Sequence, residues 1–104
     1  MNQLNLITPN PQDKTYIFHE DPSHGWVAVP IAELIDLGIA HQISSYSYMF
    51  GSMAYLEEDC DASLFWEARK ATGGRTCFDH KITDRDSVIR SYRSYTPPKQ
   101  LQTA

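Results

Sequence analysis

Basic residues are almost absent from the first two thirds of this 104-residue chain. Residues 1–68 contain ten acidic side chains and one basic side chain, Lys14, whereas residues 69–104 contain eight basic and three acidic ones. The formal net charge of −4 therefore combines an acidic body with a basic end. Nucleic-acid-binding domains owe their affinity to many Lys and Arg side chains, so direct binding of nucleic acid is not expected here.

Long apolar runs and a cysteine framework are missing as well. No segment approaches the roughly 20 apolar residues of a membrane-spanning helix. The N-terminus lacks the charged and then apolar pattern of a secretion signal. The two cysteines, Cys60 and Cys77, are too few for a disulfide scaffold. These absences predict a cytoplasmic protein with reduced thiols and no contact with a membrane.

The pattern that is present predicts one small α+β domain over residues 14–96. A flexible arm (residues 1–13) precedes it and a disordered tail (residues 97–104) follows it. Strand, turn and helix signals come in the order ββαββαβ(β), which indicates a small antiparallel sheet with two short helices. The predicted strands are 15–19, 26–29, 45–50, 53–58 and 75–82, with a last one at 87–92.

Turn and cap residues set several boundaries. Pro30 suits the first position of a helix, and Gly38 suits the residue after its end. Asp61 is a good N-cap for a second helix that extends through Thr72. Gly51-Ser52 suits a two-residue hairpin turn with glycine first. The register that this turn implies pairs Tyr48 with Tyr55, Phe50 with Met53, and Tyr46 with Glu57.

Four carboxylates stand close together where the fourth strand ends and the second helix begins: Glu57, Glu58, Asp59 and Asp61. They could cap the helix, hold a divalent cation or form an acidic surface for a basic partner. The spacing and central glycine of an EF-hand loop are absent, so no metal ligand is assigned. The predicted partner-binding surface consists of this run together with Glu33, Asp36, Tyr46, Tyr48 and Tyr55.

Cys77 and His80 are the one close pair of a nucleophile and a base. With His19 and His24 they could also form a zinc site, but neither spacing is a familiar zinc pattern. Catalysis would in addition need an orienting group, which the sequence does not frame. We therefore predict no catalytic residues and no cofactor, and keep a small thiol- or metal-dependent enzyme as an alternative.

Arginines alternate with tyrosines near the C-terminus. Arginine can bind phosphate while tyrosine stacks on bases, but the same residues could pair with the acidic half of the chain or contact a protein. This secondary basic face consists of Arg90, Tyr92, Arg93 and Tyr95.

Residues 25–58 resemble the swapped-hairpin transcription factors of the AbrB type. The resemblance rests on a strand (GWVAVP, 25–30), a short helix, the tripeptide LGI (37–39) and a hairpin (43–56). It implies a homodimer that binds DNA, although this segment contains no Lys or Arg. A small dimeric DNA-binding regulator is therefore the first alternative function.

Over residues 15–96 the chain is similar to small uncharacterised proteins of phages, plasmids and other mobile elements. The tripeptides HGW (24–26) and LGI (37–39) carry this similarity, as do ISSYSY (43–48) and YLEEDCDASLF (55–65). Acidic proteins of this size in such elements often inhibit host defence, as anti-CRISPR and anti-restriction proteins do. The resemblance implies a non-catalytic inhibitor that occupies the basic, nucleic-acid-binding surface of a host protein.

Overall fold

Six strands and two helices make up the part of the chain that the computed structural model describes, residues 12–99. The α+β class is confirmed, and the elements broadly follow the predicted order. A 3₁₀ helix (Val88–Ser91) replaces the predicted strand at 87–92. The elements are β1 (Lys14–Glu20), β2 (Gly25–Pro30), α1 (Ile31–Asp36), β3 (Tyr48–Phe50), β4 (Met53–Glu57), α2 (Ala62–Ala71), β5 (Thr76–Ile82) and β6 (Arg93–Ser94).

The strands form one sheet in the order β5-β1-β2-β4-β3-β6. Neighbours pair antiparallel except β1 and β5, which run parallel from Lys14↔Thr76 to Glu20↔Ile82. The sheet is therefore mixed rather than purely antiparallel. The connection from β4 through α2 joins two strands of the same direction, as a crossover helix must. All six strands pair within a single chain.

Glycine fixes two of the boundaries. Gly38 follows α1 with φ +78°, and the backbone N–H groups of Gly38 and Ile39 donate to the carbonyls of Ile35 and Leu34, each at 3.0 Å. This is the double hydrogen bond of a Schellman motif. Gly51 has φ +61° in the turn between β3 and β4. The predicted pairs Tyr48↔Tyr55 and Phe50↔Met53 are present, whereas Tyr46 lies before β3 and outside its ladder.

Both helices pack on the same side of the sheet and enclose the core. Phe65 of α2 and Leu34 of α1 are fully buried there, and the ring of Phe65 meets Tyr16 edge-on at 4.9 Å. On the strands, the buried members alternate with residues of the opposite face. The strand residues of this core are Tyr16, Val27, Val29, Ala54 and Leu56.

Residues near both ends of the described range are hydrogen-bonded to the folded domain. Arg69 of α2 is 1% exposed, and its Nη2 donates to the carbonyl of Gln12 at 2.5 Å. The His41 side chain contacts the Pro98 carbonyl at 2.9 Å. The remainder of the predicted arm and tail, residues 1–11 and 100–104, lies outside the described residues. Within the described range, no helix has the length and apolar character needed to cross a membrane.

Candidate functional site

The acidic run divides into two buried and two exposed carboxylates. Glu57, the last residue of β4, is 7% exposed, and Asp61, just before α2, is 3% exposed. Glu58 and Asp59, in the turn between them, are exposed. The prediction of a continuous acidic surface is therefore wrong for Glu57 and Asp61, because their side chains bind groups inside the protein.

Asp61 anchors a buried hydrogen-bond network rather than capping the helix. Its carboxylate makes no capping bond to α2. Instead, Oδ2 accepts from the hydroxyl groups of Ser44 at 2.8 Å and Ser47 at 2.5 Å, and the Ser44 backbone N–H donates to the same carboxylate at 3.1 Å. The Ser47 hydroxyl in turn accepts from the Glu57 backbone N–H at 2.9 Å. These hydrogen bonds connect the turn before β3 to the end of β4.

Glu57 is held by its neighbours in a defined orientation. The Asp59 backbone N–H donates to Glu57 Oε1 at 2.8 Å, which leaves Oε2 directed to another partner. That partner is His24, whose Nδ1 lies 3.3 Å from Glu57 Oε2. His24 comes from the turn between β1 and β2, and it is adjacent because Trp26 pairs with Glu57 across β2 and β4.

These groups border a cavity of about 360 Å³ at this end of the sheet. Tyr46, Tyr48 and Trp26 supply aromatic walls, and Cys60 and Arg90 complete the lining. His24, Glu57 and Asp59 add an imidazole and two carboxylates to the lining. The cavity thus combines side chains from the β1–β2 turn, the acidic run and the basic end.

Arg90 is committed to an internal ion pair. Its Nε lies 2.6 Å and its Nη2 3.0 Å from the carboxylate of Asp21, a side chain with no exposed area. The pKa of Asp21 is held far below its usual value, first by Arg90 and then by backbone N–H donors that include Ser87. The guanidinium also lies 5.6 Å from the ring of Trp26. The acidic body and the basic end of the chain are therefore joined by an ion pair at this position.

The predicted basic face does not form as a unit. Tyr95 is 1% exposed, and its hydroxyl donates to the Ala40 carbonyl at 2.6 Å, so its role is structural. Tyr92 stacks on Phe50 with ring centroids 4.8 Å apart. Arg93 alone of the two arginines is exposed, on β6. Because Arg90 is paired with Asp21 and Tyr95 is buried, the face is reduced to Arg93 beside Tyr92.

Tyr55 belongs to the same aromatic patch as Tyr92. The two rings lie 5.2 Å apart, and His19 contacts Tyr55 at 5.9 Å. Burial, followed by the neighbouring Tyr92, raises the pKa of Tyr55. Tyr46 differs in that 71% of its surface is exposed. Of the three predicted tyrosines, Tyr46 is therefore the one most available to a partner.

Glu33 and Asp36 lie far from the acidic run. Both are on α1, which follows the end of β2 opposite to Trp26 and Glu57. Glu33 accepts a hydrogen bond from the Tyr16 hydroxyl at 2.5 Å and lies 3.7 Å from Lys14. The structure therefore does not join α1 to the acidic run in one surface.

Cys77 and His80 face opposite sides of β5. Their separation of three positions puts them on different faces of a strand, and His80 packs edge-on against Phe18 at 5.2 Å. Cys77 is exposed rather than buried. The structure therefore does not place the Cys77 thiol beside the His80 imidazole, the pairing on which the alternative of a thiol-dependent enzyme depended.

Two residues at the cavity, His24 and Trp26, are not in the predicted partner-binding set. In the structure the β1–β2 turn precedes β2, which pairs with β4 and so brings His24 to the end of β4. The strand neighbour of β2 was not predictable from local pattern, so the approach of His24 to Glu57 was not either. No protein-family model, curated protein or solved structure matches this chain.

Proposed function

We propose that this chain is a non-catalytic binding protein of a mobile element, which inhibits a host protein by occupying a basic, nucleic-acid-binding surface. The host target would act in defence or in nucleic-acid handling, as the targets of anti-CRISPR and anti-restriction proteins do. The contact surface is the acidic edge, which we define as Glu20, Glu58 and Asp59. Tyr46 extends it with an exposed aromatic ring.

The fold gathers the acidic edge from separate segments. Glu20 ends β1 opposite Gly25, and the Glu58 backbone N–H donates to the Gly25 carbonyl at 2.9 Å. Asp59 follows directly and lines the cavity beside Tyr46. Carboxylates from β1 and from the turn after β4 are thereby brought to one end of the sheet.

The observation that carries the proposal is that, among residues 12–99, no Lys or Arg side chain lies within ion-pair distance of these three carboxylates. Within residues 12–99, the ion pairs made by Lys and Arg side chains all involve other carboxylates. Among the described residues, the ion-pair partner of Glu20 is His80, at 3.2 Å. Negative charge that the fold leaves unneutralised attracts a positively charged surface and speeds its association.

The mechanism is steric and electrostatic. Carboxylates would take the positions that phosphates occupy on the target, and Tyr46 would contribute the buried apolar area that acidic side chains lack. Exposed charges act through a screened potential, so the affinity falls as salt concentration rises. The DNA-binding alternative has less support, because Arg90 is neutralised by Asp21 and Tyr95 is in the core.

The test is affinity capture from nuclease-treated bacterial lysate with charge-reversed variants. In one variant Glu58 and Asp59 become lysine, and in the matched control Asp36 and Glu67, exposed on the two helices, become lysine. Both variants change the net charge by the same amount. We expect a discrete basic protein to be retained by the wild type and the control but lost by the edge variant. Equal retention by both variants, or equal loss, would refute the proposal.

Glu57 is left unchanged in this experiment. Its carboxylate is buried and hydrogen-bonded, so a lysine there would disrupt the fold instead of reporting on contact. In a parallel capture from lysate without nuclease, recovery of nucleic acid alone would favour the regulator over the inhibitor.

A further inference from the structure

Three side chains of metal-ligand type converge in the cavity behind the acidic edge. The imidazole of His24 and the carboxylates of Glu57 and Asp59 each offer one ligand atom, and these atoms lie within 4.8 Å of one another. They come from two separate segments, the β1–β2 turn and the end of β4. Within residues 12–99 no other group of three or more His, Cys, Asp or Glu meets this description.

The spacing of one of the three ligand pairs fits a tetrahedral ion. Ligand atoms about 2.0–2.1 Å from Zn²⁺ at a tetrahedral angle lie roughly 3.3–3.4 Å apart. His24 Nδ1 and Glu57 Oε2 are separated by 3.3 Å. The Asp59 N–H bond to Glu57 Oε1 fixes the carboxylate so that Oε2 stays toward His24. Such support of a ligand by an outer hydrogen bond is typical of metal sites.

The charge at this position also favours a cation. Glu57 is a buried carboxylate, and among the described residues its side-chain ion-pair contact is to the imidazole of His24, which carries a charge only when protonated. Burying a carboxylate is costly unless a counter-charge compensates it. Asp59 adds a second negative charge beside it, so a divalent ion would balance both.

Trp26 supplies an independent observation at the same cavity. Its side chain lines the wall and is 2% exposed. Its indole N–H is buried and finds no hydrogen-bond acceptor among residues 12–99. Buried donors without an acceptor are rare in native proteins. Trp26, which lines this cavity, therefore carries a donor that the described residues leave without an acceptor.

We propose that His24, Glu57 and Asp59 bind one Zn²⁺ ion, with a coordination position left for water or another oxygen ligand. One imidazole with two carboxylates suits zinc better than Mg²⁺, which takes oxygen ligands and keeps its waters. The site shares Asp59 with the acidic edge, and a bound ion would offset the charge of Asp59 and leave Glu20 and Glu58 as the charged members of that edge. Metal binding needs no protein partner, so zinc titration and affinity capture test the two proposals independently.

The first test is calorimetric titration of metal-free full-length protein with Zn²⁺. His24→Ala and Asp59→Asn each remove a ligand at an exposed residue, so both variants should fold, which circular dichroism checks. The matched control is His80→Ala, because His80 forms a similar imidazole–carboxylate pair with Glu20 at 3.2 Å without a third ligand. We expect one equivalent bound by the wild type and His80→Ala. Binding should weaken about tenfold or more in the two ligand variants.

A second measurement separates this site from thiol binding. Cys60 lines the cavity and Cys77 is exposed, and either thiol can attract zinc. We expect the Cys60→Ser and Cys77→Ser variants to keep the site. In a Trp66→Phe background, Co²⁺ should quench the fluorescence of Trp26. No saturable equivalent, unchanged affinity in His24→Ala, or loss only in a cysteine variant would each overturn the proposal.

Discussion

Replacing Asp61 by alanine tests how much the buried hydrogen-bond network at the end of β4 contributes to the free energy of unfolding. The substitution removes a buried carboxylate that accepts from the Ser44 backbone N–H and from the hydroxyl groups of Ser44 and Ser47. Hydrogen bonds to a charged group contribute about 1.5–3 kcal/mol each, and a buried donor left unpaired costs about 1–3 kcal/mol. These terms overlap, so we expect the free energy of unfolding to fall by about 3–5 kcal/mol in total.

The magnitude distinguishes two roles for Asp61. Loss of an N-cap alone costs typically ~1 kcal/mol, and the structure shows no such capping bond. Urea unfolding followed by circular dichroism, in buffer with a chelator, gives the difference directly. The control is Asp59→Ala, because Asp59 is exposed and its change should stay within about 0.5 kcal/mol. A loss of about 1 kcal/mol or less for Asp61→Ala would refute the network interpretation.

Three further predictions concern groups outside this network. Asp21→Asn should lower the urea midpoint at neutral pH. Because the folded-state pKa of Asp21 is depressed, the difference from wild type should be full above about pH 3.9, its unfolded value, and should shrink progressively as the pH falls below that value. A constant difference down to acid pH would contradict this. Tyr95→Phe should cost about 1 kcal/mol in thermal or urea unfolding through its lost hydrogen bond to a buried carbonyl, and an unchanged midpoint would speak against it. Cys77 should react with iodoacetamide equally fast in the wild type and in His80→Ala, because the side chains of Cys77 and His80 are on opposite faces of β5. A markedly slower reaction in His80→Ala would show that the imidazole activates the thiol.

Local signals in the sequence predicted the elements that local chemistry determines. Gly38 ends the first helix because it adopts a positive φ, and Gly51 closes the hairpin whose register pairs Tyr48 with Tyr55. Each of these depends on residues a few positions apart, which a single sequence displays.

Long-range pairing was beyond the same reasoning. The parallel contact of β5 with β1 joins Lys14 to Thr76, and nothing in either segment specifies the other as its neighbour. The 3₁₀ helix at Val88–Ser91 depends in part on the distant Asp21, which receives Arg90 and the Ser87 N–H. The alternation of residue types alone favoured a strand for residues 87–92.

The candidate site shows the same division. A run of carboxylates is typical of a solvated surface, so the burial of Glu57 and Asp61 was not predictable from composition. Both are buried because distant partners satisfy them: His24 for the first, and the 44–47 turn for the second. Only Glu58 and Asp59 of the run keep the exposure that the sequence indicated.

The central claim is that the acidic edge is the surface that contacts a partner. Amide hydrogen exchange of the chain, free and in complex with the protein retained by capture, tests this most directly. We predict slower exchange on binding in residues 44–48 and 57–61, where Tyr46, Glu58 and Asp59 lie. Protection confined to α1 or β5, with these two segments unchanged, would contradict the claim.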